Sequence, residues 1–167
     1  MLERLRRFLL GDTQTIAGTV YGTIVVLSVL AAGAKSYRHN LWRLDVIAAV
    51  SAVVLWMAHV YSHGLGESLA LERRLTFGEL AAIARREYAI VLAAVPPVVA
   101  VGLGAVGLVS PDTALWLAFG SGVITLAGQG VRYSRVEQLS PMRTITTVGL
   151  NLVFGLTLVA MEAFIAH

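Results

Sequence analysis

Residues 46–66 read VIAAVSAVVLWMAHVYSHGLG, 21 positions without one Asp, Glu, Lys or Arg. About 20 apolar residues in a helix cross the roughly 30 Å of hydrocarbon in a bilayer, so this stretch alone predicts a transmembrane helix. Four more windows are uncharged in the same way, 13–34, 88–111, 113–131 and 144–161, holding 22, 24, 19 and 18 residues. The expected fold is all-α: a polytopic membrane helical bundle of five transmembrane helices in a single membrane domain, 1–167. The loops that remain are too short for a separate soluble catalytic domain.

Composition agrees with that reading. Charged residues make up 14% of the chain and hydrophobic ones 57%, against roughly 25% charged in an ordinary soluble domain. The absence of cysteine excludes disulfides, thiolate metal sites, iron–sulfur clusters and a cysteine nucleophile. The net charge of +3 does not point to nucleic acid, because the cations flank apolar windows, where anionic headgroups account for them. Membrane lipid is the expected partner and nucleic acid is not.

The same cations predict orientation. Three Lys or Arg precede the first window, three lie in the first loop, four in the second, none in the third, three in the fourth and none after the fifth. Positive charge collects on the cytoplasmic side, which puts the N-terminus inside and the C-terminus outside, with the first loop dissenting. A competing reading takes residues 1–34 as a cleavable signal peptide ending at Ala32-Gly33-Ala34, but Asp12, Thr13, Gln14 and Thr15 interrupt the join between its basic and apolar parts.

Start signals mark several helix edges. Ser110-Pro111 and Ser140-Pro141 each set a capping hydroxyl before a proline at the first helical position. Thr76 with Glu79 three residues on reads as a capping box, opening an amphipathic or extended helix over about 76–87. Pro96 and Pro97 inside the third window predict a kink.

Polar residues at spacings of three or four share a helix face. The first window has Thr15, Thr19 and Thr23 beside Gly18 and Gly22, a GxxxG packing motif; the fourth has Ser121, Thr125, Gln129 and then Arg132; the fifth has Thr144, Thr147, Asn151 and, further on, Glu162. Such stripes are costly against lipid. They predict a shared polar vestibule in the cytoplasmic half, closed by an apolar outer half that includes Val25, Val26, Leu27, Val53, Val54, Leu117 and Phe119. The third window, lacking a stripe, is expected to face lipid or another copy.

The second window carries the strongest chemical signal, His59, His63 and Glu67 at intervals of four. Two imidazoles and a carboxylate on one face could ligate a divalent metal, with Glu87 completing the set, although Val60 stands where the glutamate of an HExxH site would be. The same groups beside Glu87 and Arg85 or Arg86 could relay protons, since histidine titrates near neutrality. The plainest alternative is a set of interfacial histidines, with Trp56 and Tyr61 in the aromatic belt.

Tyr21-Gly22-Thr23, the run Leu55-Trp56-Met57-Ala58-His59-Val60-Tyr61 with His63 and Gly66, and the Gly-rich closing window resemble a group of small, functionally uncharacterised bacterial multi-span integral membrane proteins. That resemblance covers most of the chain. It implies a bacterial cytoplasmic membrane and no particular activity.

The functional expectation is a small homo-oligomeric channel or transporter that passes protons or small cations. His59, His63, Glu67, Glu87, Gln129, Arg132, Asn151 and Glu162 are its candidate pathway or relay residues. A metal-dependent membrane enzyme built on His59, His63 and Glu67, and a non-catalytic structural or accessory subunit, are the alternatives.

Overall fold

A backbone in hydrocarbon has no water to bond, so an uncharged run must satisfy its own N–H and C=O groups as a helix. The computed structural model describes residues 13–166, with the side chains at 13, 14, 154, 158, 159, 161–163, 165 and 166 outside that description. The cations Arg4, Arg6 and Arg7 and the side chain of Glu162 therefore lie outside the described residues.

Among the described residues there are six helices and no strand: α1 (Thr13–Gly33), α2 (Leu41–Ala70), α3 (Phe77–Arg86), α4 (Ala89–Ala105), α5 (Pro111–Val136) and α6 (Pro141–Ala166). Thr15–Gly33, Leu41–Ala70 and Pro111–Val136 are long and apolar enough to cross a membrane, and α3 with α4, bent by 44° at their junction, makes a fourth candidate if the pair is one span. The protein is a helical membrane protein. Its outward surface agrees, since Trp42, Val50, Met57, Trp116, Ile124 and Leu150 all stand exposed.

Helix α4 corrects the expectation of a lipid-facing or oligomer-facing wall. It is the central helix, packed against α1, α2 and α5, with Ala89, Ile90, Ala93, Ala94, Pro97, Ala100 and Val101 buried. Its small side chains let three neighbours come close at once, the usual route to tight helix association in lipid. The helix also runs unbroken through Pro96 and Pro97. The marked bend falls upstream, at Glu87 and Tyr88, where amphipathic α3 ends and apolar α4 begins. It stops at Ala105, six residues short of the predicted 111, in a turn with Gly107 at φ 78°.

Gly18 and Gly22 serve this packing inside the protomer. A Cβ at Gly18 would meet Ala89 Cβ at 3.3 Å, and one at Gly22 would meet the Ile90 carbonyl oxygen at 2.6 Å. That face is covered by α4 and is not open to another copy. Nor do the outer-half residues form one closing layer: Val26, Leu27 and Phe119 are in the core, whereas Val53, Val54 and Leu117 point outward.

Two ends are fastened by polar contacts. Arg38 in the first loop grips both carboxylate oxygens of Asp112 at the start of α5, and Ser110 accepts from the Thr113 N–H as the expected cap. At the opposite end the capping box of α3 is present, with Thr76 and Glu79 satisfying each other's backbone N–H. Arg73 pairs with the same carboxylate at 2.6 Å.

The Glu79 carboxyl, in the first turn of α3, is pulled down to about 2 by the Arg73 guanidinium first and then by the backbone and hydroxyl of Thr76. A carboxyl lowered in the folded state contributes order above its ordinary value and loses it as pH falls through the lowered one. Backbone exchange at Thr76–Leu80, corrected for intrinsic rate, is expected to accelerate between about pH 4.5 and 2. Arg73→Gln is expected to move that transition upward, and an unchanged midpoint would show the pair to be idle.

Candidate functional site

Among the polar residues singled out in the sequence, several hydroxyls bond their own helices, and the two histidines of α2 meet Glu87 in a titratable cluster. Thr19 donates to Thr15 O, Thr23 to Thr19 O, Thr125 to Ser121 O, Ser121 to Ala118 O, Thr144 to Ser140 O and Thr147 to Arg143 O. These hydroxyls bond their own helices, which makes a stripe of them tolerable without a water-filled space. Such stripes therefore do not by themselves require the vestibule expected from four helices. Asn151 Nδ2 donates to Leu126 O at 3.1 Å and clasps α6 to α5. Gln129 has a buried, unpartnered Oε1 among the described residues, and Arg132 lies toward the C-terminal end of α5.

What does assemble is a half-open cleft of about 220 Å³ lined by Ala17, Gly18 and Tyr21 of α1, His59 and His63 of α2, Glu87 at the bend, and Ile90 of α4. None of Gln129, Arg132 or Asn151 lines it. Helix α2 brings its two histidines together because i and i+4 share a face, and their rings meet edge to face with centroids 6.0 Å apart. Tyr21 lies against His59 at 4.9 Å between centroids.

Glu87 is the group on which the cluster turns. It caps α3, its N–H donating to Ile83 O, and the bend aims its carboxylate inward, leaving the side chain only 10% exposed. Such burial costs free energy unless the charge is paired and hydrogen-bonded. His63 Nδ1 donates to Glu87 Oε1 at 2.8 Å, and Arg86 Nε stands 3.6 Å from the same oxygen. Arg86 also donates to Glu67 Oε1 at 3.0 Å. Glu67, Arg86, Glu87 and His63 thus form one connected chain of polar contacts. Trp56 Nε1, donating to Ala84 O at 2.9 Å, pins α2 to α3 beside it.

The tautomers follow from these bonds. An imidazole that donates from Nδ1 to a carboxylate or a carbonyl keeps Nε2 as the acceptor when neutral. His63 does this toward Glu87, and His59 Nδ1 lies 3.2 Å from Leu55 O. Both Nε2 atoms are then available to take a proton. Protonated His63 would face a carboxylate already in place.

Of the four residues singled out on α2 and at the bend, His59, His63 and Glu87 line one cleft, whereas Glu67 lies outside it and bonds Arg86. The metal reading fares differently: among the described residues no three His, Asp or Glu side chains converge as ligands, since Arg86 intervenes between Glu67 and the imidazoles. Sequence reasoning placed Glu87 beside Arg85 and Arg86 as a candidate ligand or relay group without deciding its burial. Arg85 is exposed, yet Glu87 is buried, and the signal for it was the following apolar window, which must leave the surface directly after residue 87.

Asp45 was missed altogether. It lies one turn into α2, at the end opposite the cleft, with Oδ1 buried and unpartnered among the described residues. Its other oxygen faces Gly102 of α4, 3.5 Å from where a Cβ would stand.

No protein-family model matches the chain, and no curated protein or solved structure matches it either. What the cleft does has to come from its own chemistry.

Proposed function

We propose that this chain moves protons, or small cations coupled to them, across a membrane, with His59, His63 and Glu87 as the titratable groups. The observation that carries the reading is the Glu87 carboxylate, nine-tenths buried at a membrane helix bend and bonded to an imidazole that opens on a cleft. Ionisable groups within membrane helices are costly and mark ion and proton pathways. A neutral His63 accepts a proton at Nε2 from the cleft, and the imidazolium is held by Glu87. Release of the proton on the side opposite to the one that supplied it, once exposure of the pair alternates, resets the pair and completes a transfer.

Along α2 the next carboxylate is Asp45, 14 residues from His59 and so about 21 Å away. Between them Ala48 and Ala52 are buried against the core. Packed apolar residues favour transfer by alternating exposure over a standing open pore.

The reading takes α1, α2, α4, α5 and α6 as five spans, with α3 along the inner surface, the N-terminus inside and the C-terminus outside. The setting would be a bacterial cytoplasmic membrane. It also takes a homo-oligomer, whose copies would meet over exposed apolar faces such as Trp42, Val46, Val50 and Val53 of α2. The Gly18 and Gly22 face is not available for that contact.

The test is reconstitution into liposomes carrying a pH dye under an imposed proton gradient and a clamped potential. The expected result is protein-dependent proton flux that falls at least about tenfold in the His59→Ala/His63→Ala double variant, a loss below what removing a positioned proton-transfer group commonly costs. Absence of flux under any gradient, or flux indifferent to both histidines, would end the reading and favour an accessory subunit.

A further inference from the structure

A second opening among the described residues lies outside the histidine cleft, where the last turns of α2 meet α3. It is a slot of about 230 Å³ walled by Tyr61, Gly64, Leu65, Leu75 and Leu80, with Arg74 at its rim. The loop that presents Arg74 is fixed at both ends. Helix α2 closes in a left-handed turn, with Glu72 at φ 52°, the Glu72 N–H donating to Leu69 O and the Arg73 N–H to Ser68 O. That is the paired bonding of a Schellman stop. The Ser68 hydroxyl returns a bond to Arg73 O at 2.7 Å, and the capping box of α3 secures the other end.

The cations of this end are spoken for unequally. Arg73 is paired with Glu79, and Arg86 with Glu67 and Glu87. Arg85 turns back to its own helix at Ala81 O. Arg74 has no carboxylate within ion-pair distance among the described residues. Around the slot Tyr61, Leu69, Leu71 and Phe77 stand exposed, an apolar collar at the end of a membrane helix, which is where the headgroup region begins. An apolar slot beneath a single uncommitted guanidinium complements an amphiphile with an anionic head.

The geometry points to a binding site for one anionic phospholipid, its phosphate on Arg74 and an acyl chain between α2 and α3 against Leu65, Leu75 and Leu80. Guanidinium binds phosphate as a planar fork of donors. The chain segment would cover apolar side chains that α3 alone leaves open. The site shares no lining residue with the histidine cleft and stands whether or not protons move there.

The test is native mass spectrometry of the full chain released from mixed micelles holding equal phosphatidylglycerol and phosphatidylcholine of matched chains. The wild type is expected to retain phosphatidylglycerol about fivefold over phosphatidylcholine, the preference one cation near an anionic surface supplies. Arg74→Gln, a surface change, is expected to bring the two lipids level. Gly64→Leu, which pushes a side chain toward Leu80 across the slot, is expected to lower retention of both. Equal retention by the wild type, or a preference unchanged in Arg74→Gln, would overturn the site. So would displacement of the lipid by millimolar inorganic phosphate, which would assign Arg74 to a soluble anion.

Discussion

Gly22→Ala is expected to lower the unfolding midpoint of the detergent-solubilised protein by roughly 4–8 °C, the shift that about 2 kcal/mol produces in a chain of this size, while Gly18→Ala is expected to move it little. The difference lies in what the new methyl would meet. At Gly22 it would stand 2.6 Å from the Ile90 carbonyl oxygen and 3.0 Å from Ile90 Cα, both backbone atoms of α4. Neither can swing aside, so the two helices must separate, and overpacking of that kind commonly costs about 1–3 kcal/mol. At Gly18 the nearest atom is Ala89 Cβ at 3.3 Å, a contact relieved by a few tenths of an ångström. Separation at Gly22 would also draw Tyr21 away from His59, so proton flux should fall together with the midpoint. A Gly22→Ala protein as stable as the wild type would show that α1 and α4 do not approach as described.

Glu87→Gln is expected to reduce proton flux about a hundredfold, the low end for loss of a positioned proton-transfer group, with helix content and detergent stability kept near wild type. Glutamine matches the shape of the side chain and still offers His63 Nδ1–H a carbonyl oxygen, so the 2.8 Å bond has a replacement. What vanishes is the negative charge that would hold the protonated imidazole. Glu87→Ala is a harsher change, because it removes a partner from a buried pair, a loss that commonly costs about 3–5 kcal/mol. The two variants separate charge from architecture. If Glu87→Gln conducts as well as the wild type, the carboxylate is only a fastening for α2 and the bend.

Several features were legible because a local pattern has one physical solution. Uncharged windows of spanning length become helices, Thr76 with Glu79 becomes a capping box, and His59, His63 and Glu67 share a face because the helical period puts them there. The role of α4 was not legible, since a helix that is apolar all round carries no periodicity to say which side meets protein. Its alanines signalled close approach, but stripes on the other helices were the more visible guide, and they misled. Thr19, Thr23, Thr125 and Thr147 look like lining in a sequence and turn out to bond the carbonyl four residues back. Asp45, and the burial of Glu87, were hidden for a related reason: each residue flanks an uncharged window, where a carboxylate looks like a boundary marker. Only the bend and the crossing of α4 decide that both turn inward.

Helix α2, at 30 residues, is about 45 Å long, half as long again as the hydrocarbon it crosses. With the span counted from Leu41, a membrane of ordinary thickness would leave its final turns in the headgroup layer, and those turns carry His63 and Glu67. Thicker, sterol-like or long-chain bilayers would submerge the imidazole first, while thinner ones would wet it. On the proposed function, host lipid thickness would set how freely solvent protons reach the ring, imposed from outside the polypeptide and adjustable without altering a residue.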